Sequence, residues 1–151
     1  MIKEAKHLEI LNFANKMKPI PFEIQKQVSE AYIDDLNHVN NLRYIEWVLE
    51  ISELHWKTKT PESIRLQFGW VVIEQHIYYK HAAKLGDQLQ LKTWIATCEG
   101  VKSERKTSIR NSKNQLILEA TTLWCFINLE THRLSRITPE IIEPYFELYT
   151  K

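Results

Sequence analysis

Asp34, Asp35, Asn37, His38, Asn40 and Asn41 all fall within the short run Tyr32-Ile33-Asp34-Asp35-Leu36-Asn37-His38-Val39-Asn40-Asn41, and an apolar segment starts directly after it at Leu42. Acids and amides at that density mark a turn. The spacing that follows marks a helix, whose first backbone N–H groups have no intrahelical partner and carry the positive end of its dipole. A carboxylate beside such a helix mouth suits one chemistry in particular: the N–H groups polarise a carbonyl while the acid acts as a base or nucleophile. The plainer reading is that Asp34 and Asp35 only shape the turn or cap the helix.

Other chemistries find less support. Only three glycines are present, which excludes long glycine-rich phosphate loops, and there is no Gly-x-Ser-x-Gly elbow. Cys98 and Cys125 stand far apart, in neither a redox pair nor a zinc spacing, and read as buried free thiols. His76 and His81 are expected on opposite sides of a strand, with no ligand to complete a metal set, so no metal is expected. The net charge of +1 gives no argument for a nucleic-acid or membrane partner. No signal-peptide core follows Met1, and no apolar run approaches the ~18 residues of a membrane span. The expectation is a cytoplasmic protein.

Elements must hold that turn in place. At 151 residues the chain is expected to form one domain, 1–151, with a core over about 22–137. Residues 3–16 have weak helical spacing, ended by Lys18-Pro19-Ile20-Pro21. Phe22 to Tyr32 reads as a strand. Asn40 to Trp56 is the strongest helix, with Leu42, Ile45, Val48, Leu49, Ile51 and Trp56 apolar and Tyr44 and Trp47 between them. An Asp or Asn before it can cap its first turn, and His55, Lys57 and Lys59 suit the negative end of its dipole.

Four strands follow. Trp70 to Tyr79 alternates, with Val71, Ile73, Ile77 and Tyr79 expected on one side and Glu74, His76 and Tyr78 on the other. Leu89, Leu91, Thr93, Ile95 and Thr97 are expected to share a face of the next. Val101 to Arg110 is a more polar strand, and Asn111-Ser112-Lys113-Asn114 signals a hairpin. Leu116 to Leu129 is apolar enough past Leu123 to lie inside the sheet with both faces covered. Pro139 opens a short helix to about Tyr145. Hairpin-linked strands make an antiparallel sheet, so the fold class is α+β, with one buried helix wrapped by the sheet.

Three blocks, in order, carry a resemblance. Asp34-x-x-x-His38-Val39-Asn40-Asn41-x-x-Tyr44 resembles the signature of the hot-dog-fold thioesterases, the group of 4-hydroxybenzoyl-CoA and acyl-ACP thioesterases. Val71-Val72-Ile73-Glu74-Gln75-His76-Ile77-x-Tyr79, followed by Ala83-x-x-Gly86-Asp87-x-Leu89, is similar to that family's second strand and turn. Thr122-x-Trp124-Cys125-Phe126-Ile127-Asn128-Leu129-Glu130-Thr131 is similar to its long last strand. The resemblance implies a hot-dog fold, with a five- or six-stranded antiparallel sheet around the long helix. It also implies a homodimer or homotetramer with sites at subunit interfaces, and hydrolysis of an acyl thioester of CoA or acyl carrier protein, with no cofactor. The chain departs from the pattern at Tyr32, where many relatives have Asp, at Asn37, where many have Gly, at Leu36, where plant enzymes have Asn, and at His81-Ala82, where Arg-Pro is usual.

Thioester hydrolysis asks little of a protein. The carbonyl is electrophilic, and a thiol of pKa near ~8.5 leaves without much acid help. On the resemblance, Asp34 is the base or nucleophile, with Asp35 and Glu74 in reserve. Backbone N–H groups of Asn40 and Asn41 would form the oxyanion site. His38 would hydrogen-bond the carboxylate or substrate, or brace the turn, and the Asn40 and Asn41 side chains would cap and brace. Lys102, Arg105 and Lys106, with Arg110, could meet the phosphates of CoA or form a solvated strand face. Tyr44, Trp47 and Trp70 could line an acyl pocket or pack the core. Two alternatives stand beside hydrolysis: a non-catalytic acyl-thioester binding module, and a hydroxyacyl-thioester dehydratase working through His38 and Glu74.

Overall fold

The computed structural model describes residues 16–149. Strands β1 (Met17–Pro19) and β2 (Phe22–Gln27) lead through a 3-10 turn, Glu30–Tyr32, to the long helix α1 (Asn41–Lys59). A short helix α2 (Glu62–Arg65) then precedes β3 (Phe68–Tyr79), β4 (Gln88–Glu99), β5 (Lys102–Asn111) and β6 (Leu116–Asn128). Helix α3 (Pro139–Ile142) and strand β7 (Phe146–Leu148) close the described chain. The main sheet runs β2-β4-β5-β6-β3, antiparallel throughout, and β1 pairs with β7 in a separate two-stranded ribbon.

Helix α1 lies against one face of this sheet, the wrapped-helix arrangement that the resemblance implies. Tyr44, Trp47, Val48, Ile51, Ser52 and His55 form its buried stripe, at the three- and four-residue intervals of one helical face. Leu42, expected in the core, is 66% exposed, because it falls off that stripe. Asn40 caps the helix, its side chain accepting the Leu42 N–H at 2.9 Å, a contact worth about 1 kcal/mol. His55 does not serve the dipole as a cation. Burial above all, and then the charges of Arg105 and Lys59, lower its pKa to about 3, so it is neutral.

The expected helix over 3–16 lies outside the described residues, except for its last position. The strand expected over Phe22 to Tyr32 stops at Gln27, where Val28 turns inward and its N–H bonds Asp87 O. The β1–β7 ribbon went unforeseen, since each strand is three residues long and finds its partner far away in sequence.

Two bulges correct the strand faces. Ile73 is extra between the pairs Val72↔Trp124 and Glu74↔Leu123. Directly paired residues share a face, so Val71 joins Glu74, His76 and Tyr78 on the outside, while Val72 joins Gln75, Ile77 and Tyr79 toward the helix. Ala96 does the same in β4, turning Thr97 outward and Cys98 inward. Strand β6 is internal, between β5 and β3, as its apolar run predicts.

Candidate active site

The turn before α1 is held by its own backbone and by Asp34. Asp34 N–H donates to His38 O at 2.8 Å, Asn37 N–H to Asp34 O at 3.0 Å, and Asn40 N–H to Tyr32 O at 3.0 Å. Oδ1 of Asp34 accepts two more N–H groups, from Leu36 at 2.9 Å and His38 at 3.1 Å. Asn37 takes φ 62°, the left-handed conformation for which glycine is the usual choice and which asparagine tolerates best among the others. Asparagine at that position is therefore compatible with the turn.

Val39 anchors the turn to the body. It is buried, bridges Ile33, and donates its N–H to Ala83 O at 3.2 Å. Ala83 N–H in turn donates to the Tyr44 hydroxyl at 3.0 Å. Burial raises the pKa of that phenol, so it stays protonated. These links close a pocket of about 440 Å³, in which Asp34, His38, Asn40 and Asn41 face Tyr79, Lys80 and His81.

Asp34 is half-buried in the pocket wall, and its Oδ2 makes no hydrogen bond among the described residues. Asp35 is exposed and outside the pocket. His38 lines the pocket and bonds Asp34 only through its backbone. Asn40 is a correction: its N–H is already committed to Tyr32 O, so it is not an oxyanion donor. Asn41, the first helical residue, lines the pocket, and its N–H has no partner among the described residues.

Glu74 is also corrected. It lies on the outer face of the sheet, bonded to His76 Nε2 at 2.5 Å, and not in the pocket with His38. The basic strand cluster splits in two. Lys102 and Lys106 share parity on the outer face, whereas Arg105 is 7% exposed and points to the helix with Ser103, Thr107 and Ile109. Lys80 and His81 were missed as pocket residues. Nothing local signals them; they arrive because the chain past Tyr79 returns under α1 through Ala83. Tyr44 and Trp47 pack in the core, and Trp70 lines a second cavity.

The site is thus a half-buried carboxylate with one uncommitted oxygen, sharing a pocket with one uncommitted N–H at a helix start. That pair can activate a nucleophile and stabilise an oxyanion. The model of the acyl-ACP thioesterase N-terminal domain matches residues 25–145. The chloroplastic palmitoyl-acyl carrier protein thioesterase of Gossypium hirsutum is 31% identical over 91 residues, which is 58% of this chain and 22% of that protein. The chain thus spans about a fifth of the length of the curated relatives it matches. Among solved structures, YbaW of Escherichia coli superposes with a TM-score of 0.72 at 22% identity, over 83% of this chain and 98% of its own. The 12:0-ACP thioesterase of Umbellularia californica superposes with a TM-score of 0.72 at 20% identity, over 87% of this chain and 53% of its own.

Proposed function

This chain belongs to the acyl-ACP thioesterase family through its N-terminal domain model, and from that premise we propose that it hydrolyses an acyl thioester of CoA or acyl carrier protein to the free acid and thiol. The observation that carries the proposal is that Asp34, with its Oδ2 uncommitted, and Asn41, with its N–H uncommitted, line one pocket. In this reading the thioester carbonyl lies against Asn41, where the helix dipole favours the developing negative charge. Asp34 either takes a proton from an attacking water or attacks the carbonyl itself, forming an anhydride that water then cleaves. The thiolate leaves and collects a proton from solvent. Oδ1 stays in its two backbone bonds throughout and aims Oδ2.

The dehydratase alternative loses its support, because His38 and Glu74 are not brought together within the chain. The binding-module alternative draws on the bracing role of Oδ1, which needs no turnover. Thiol release from a panel of acyl-CoA and acyl-ACP thioesters separates the two. Hydrolysis predicts turnover, and a module predicts thermal stabilisation by the thioester with none.

The reading extends to assembly and place. Strand β3 ends the sheet with an edge that no other strand pairs among the described residues, and Val71, Val72 and Ile73 are exposed along it at 48%, 37% and 49%. An apolar edge of this kind is a template for pairing with another copy, which suits a homodimer or a tetramer built from dimers. Light scattering of Ile73→Lys beside the wild type tests this: the variant is expected to dissociate, and an unchanged mass would count against the edge. No helix among the described residues is long and apolar enough to cross a membrane. A cytoplasmic enzyme working on soluble thioesters is the proposal.

A further inference from the structure

A second cavity, of about 490 Å³, opens between α1 and the sheet, about two to four helical turns beyond the turn that holds Asp34. Leu49, Trp56, Trp70, Val72 and Ile95 make its walls apolar, as an alkyl chain requires. Arg105 interrupts that wall. Its guanidinium is almost wholly buried and has no carboxylate partner among the described residues.

Arg105 has five N–H donors to satisfy. Nη1 donates to His55 Nδ1 at 2.8 Å and to Thr93 Oγ1 at 3.2 Å, both neutral acceptors. Nε and Nη2 make no hydrogen bond among the described residues. Close by, the Trp124 indole N–H is buried on the same cavity wall and also lacks a partner. The hydroxyls of Ser52 and Ser103 already donate, to Val48 O and Thr97 O. Glu53 stands at the rim, exposed and neutralised by Lys57 at 3.0 Å. The interior of the cavity therefore presents surplus donors and a net positive charge at the end of apolar walls. Buried charge without a counter-ion is costly, and a bound anion removes that cost.

We propose that this cavity receives the far end of the acyl group, and that Arg105 and the Trp124 N–H select acyl groups ending in a carboxylate. The proposal rests on the hydrolase reading and adds the substrate class to it: the monothioester of a dicarboxylic acid. The guanidinium takes the carboxylate through its unused N–H pair, the bidentate geometry that arginine favours. A methyl-ended chain of equal length leaves those donors bare.

The test compares hexadecanedioyl-CoA with palmitoyl-CoA, and tetradecanedioyl-CoA with myristoyl-CoA, long enough to run the roughly 20 Å of helix from Asn41 to His55, on the wild type, Arg105→Met and Trp124→Phe. It also follows the melting temperature of each protein in free suberate. The wild type is expected to favour the carboxylate-ended thioester in kcat/KM by at least about tenfold. Arg105→Met is expected to lose or invert that preference and Trp124→Phe to weaken it, and suberate is expected to stabilise the wild type but not Arg105→Met. Equal use of both ends by the wild type, or a preference that survives Arg105→Met, overturns the proposal. Trp124→Phe supplies an independent reading should Arg105→Met fold poorly, since an unchanged preference there overturns the indole's part. Suberate stabilisation that depends on Arg105, without turnover of any thioester, would uphold the anion site and remove the hydrolase reading. Turnover of methyl-ended thioesters with no suberate effect would do the reverse.

Discussion

Arg105 Nη1 donates to Nδ1 of His55 across 2.8 Å in the interior of the domain. An imidazole that accepts at Nδ1 carries its proton on Nε2, so His55 is neutral, with Phe22 stacked on its ring at 5.0 Å. Protonating it would place a second cation against Arg105.

Stability should therefore fall on acidification. His55 titrates near 6.5 in the unfolded chain and near 3 in the folded one, so between those values the unfolded state binds more protons. The full contribution holds above about pH 6.5 and is lost as pH drops toward 3, at up to about 1.4 kcal/mol per unit. Urea unfolding from pH 7 to pH 4 should show a steeper loss in the wild type than in His55→Asn, which keeps an acceptor for Arg105. Equal slopes would contradict the assignment.

Tyr44→Phe should destabilise by about 1–3 kcal/mol, because it leaves the buried Ala83 N–H without its acceptor. Ala83 O also holds Val39 at the end of the turn. The same variant should thus loosen the pocket, read as a raised KM for the best thioester.

Asn41→Pro is a clean probe of the oxyanion site. Proline is well accepted as the first helical residue, and Asn40, at φ −62° and ψ 134°, already has the conformation proline demands of its predecessor. The substitution removes one N–H and keeps the helix. Activity should drop about 100- to 1000-fold with little change in melting temperature.

Much of this site was legible in the residues, because its signals are local. Acid, amide and helix start are consecutive from Asp34 to Asn41, and helical spacing locates α1. The failures were of a different kind. Which of Asn40 and Asn41 keeps a free N–H depends on the path back to Tyr32. Val71 and Thr97 changed faces because a bulge shifts parity, and a single residue of slip is invisible to alternation. Charge groups Arg105 with Lys102, Lys106 and Arg110, although it shares strand parity with Ile109. Parity decides its direction, and it points inward. Lys80 and His81 reach the pocket only through tertiary contact.

The most direct test of the central claim is thiol release from the acyl-thioester panel by the wild type beside Asp34→Asn. Asparagine keeps the Oδ1 acceptor that braces Leu36 and His38, so the turn should persist, and only the charged oxygen is lost. The expected result is turnover by the wild type and a loss of about 100- to 10,000-fold in the variant, at an unchanged melting temperature. A variant as active as the wild type would contradict the role given to Asp34.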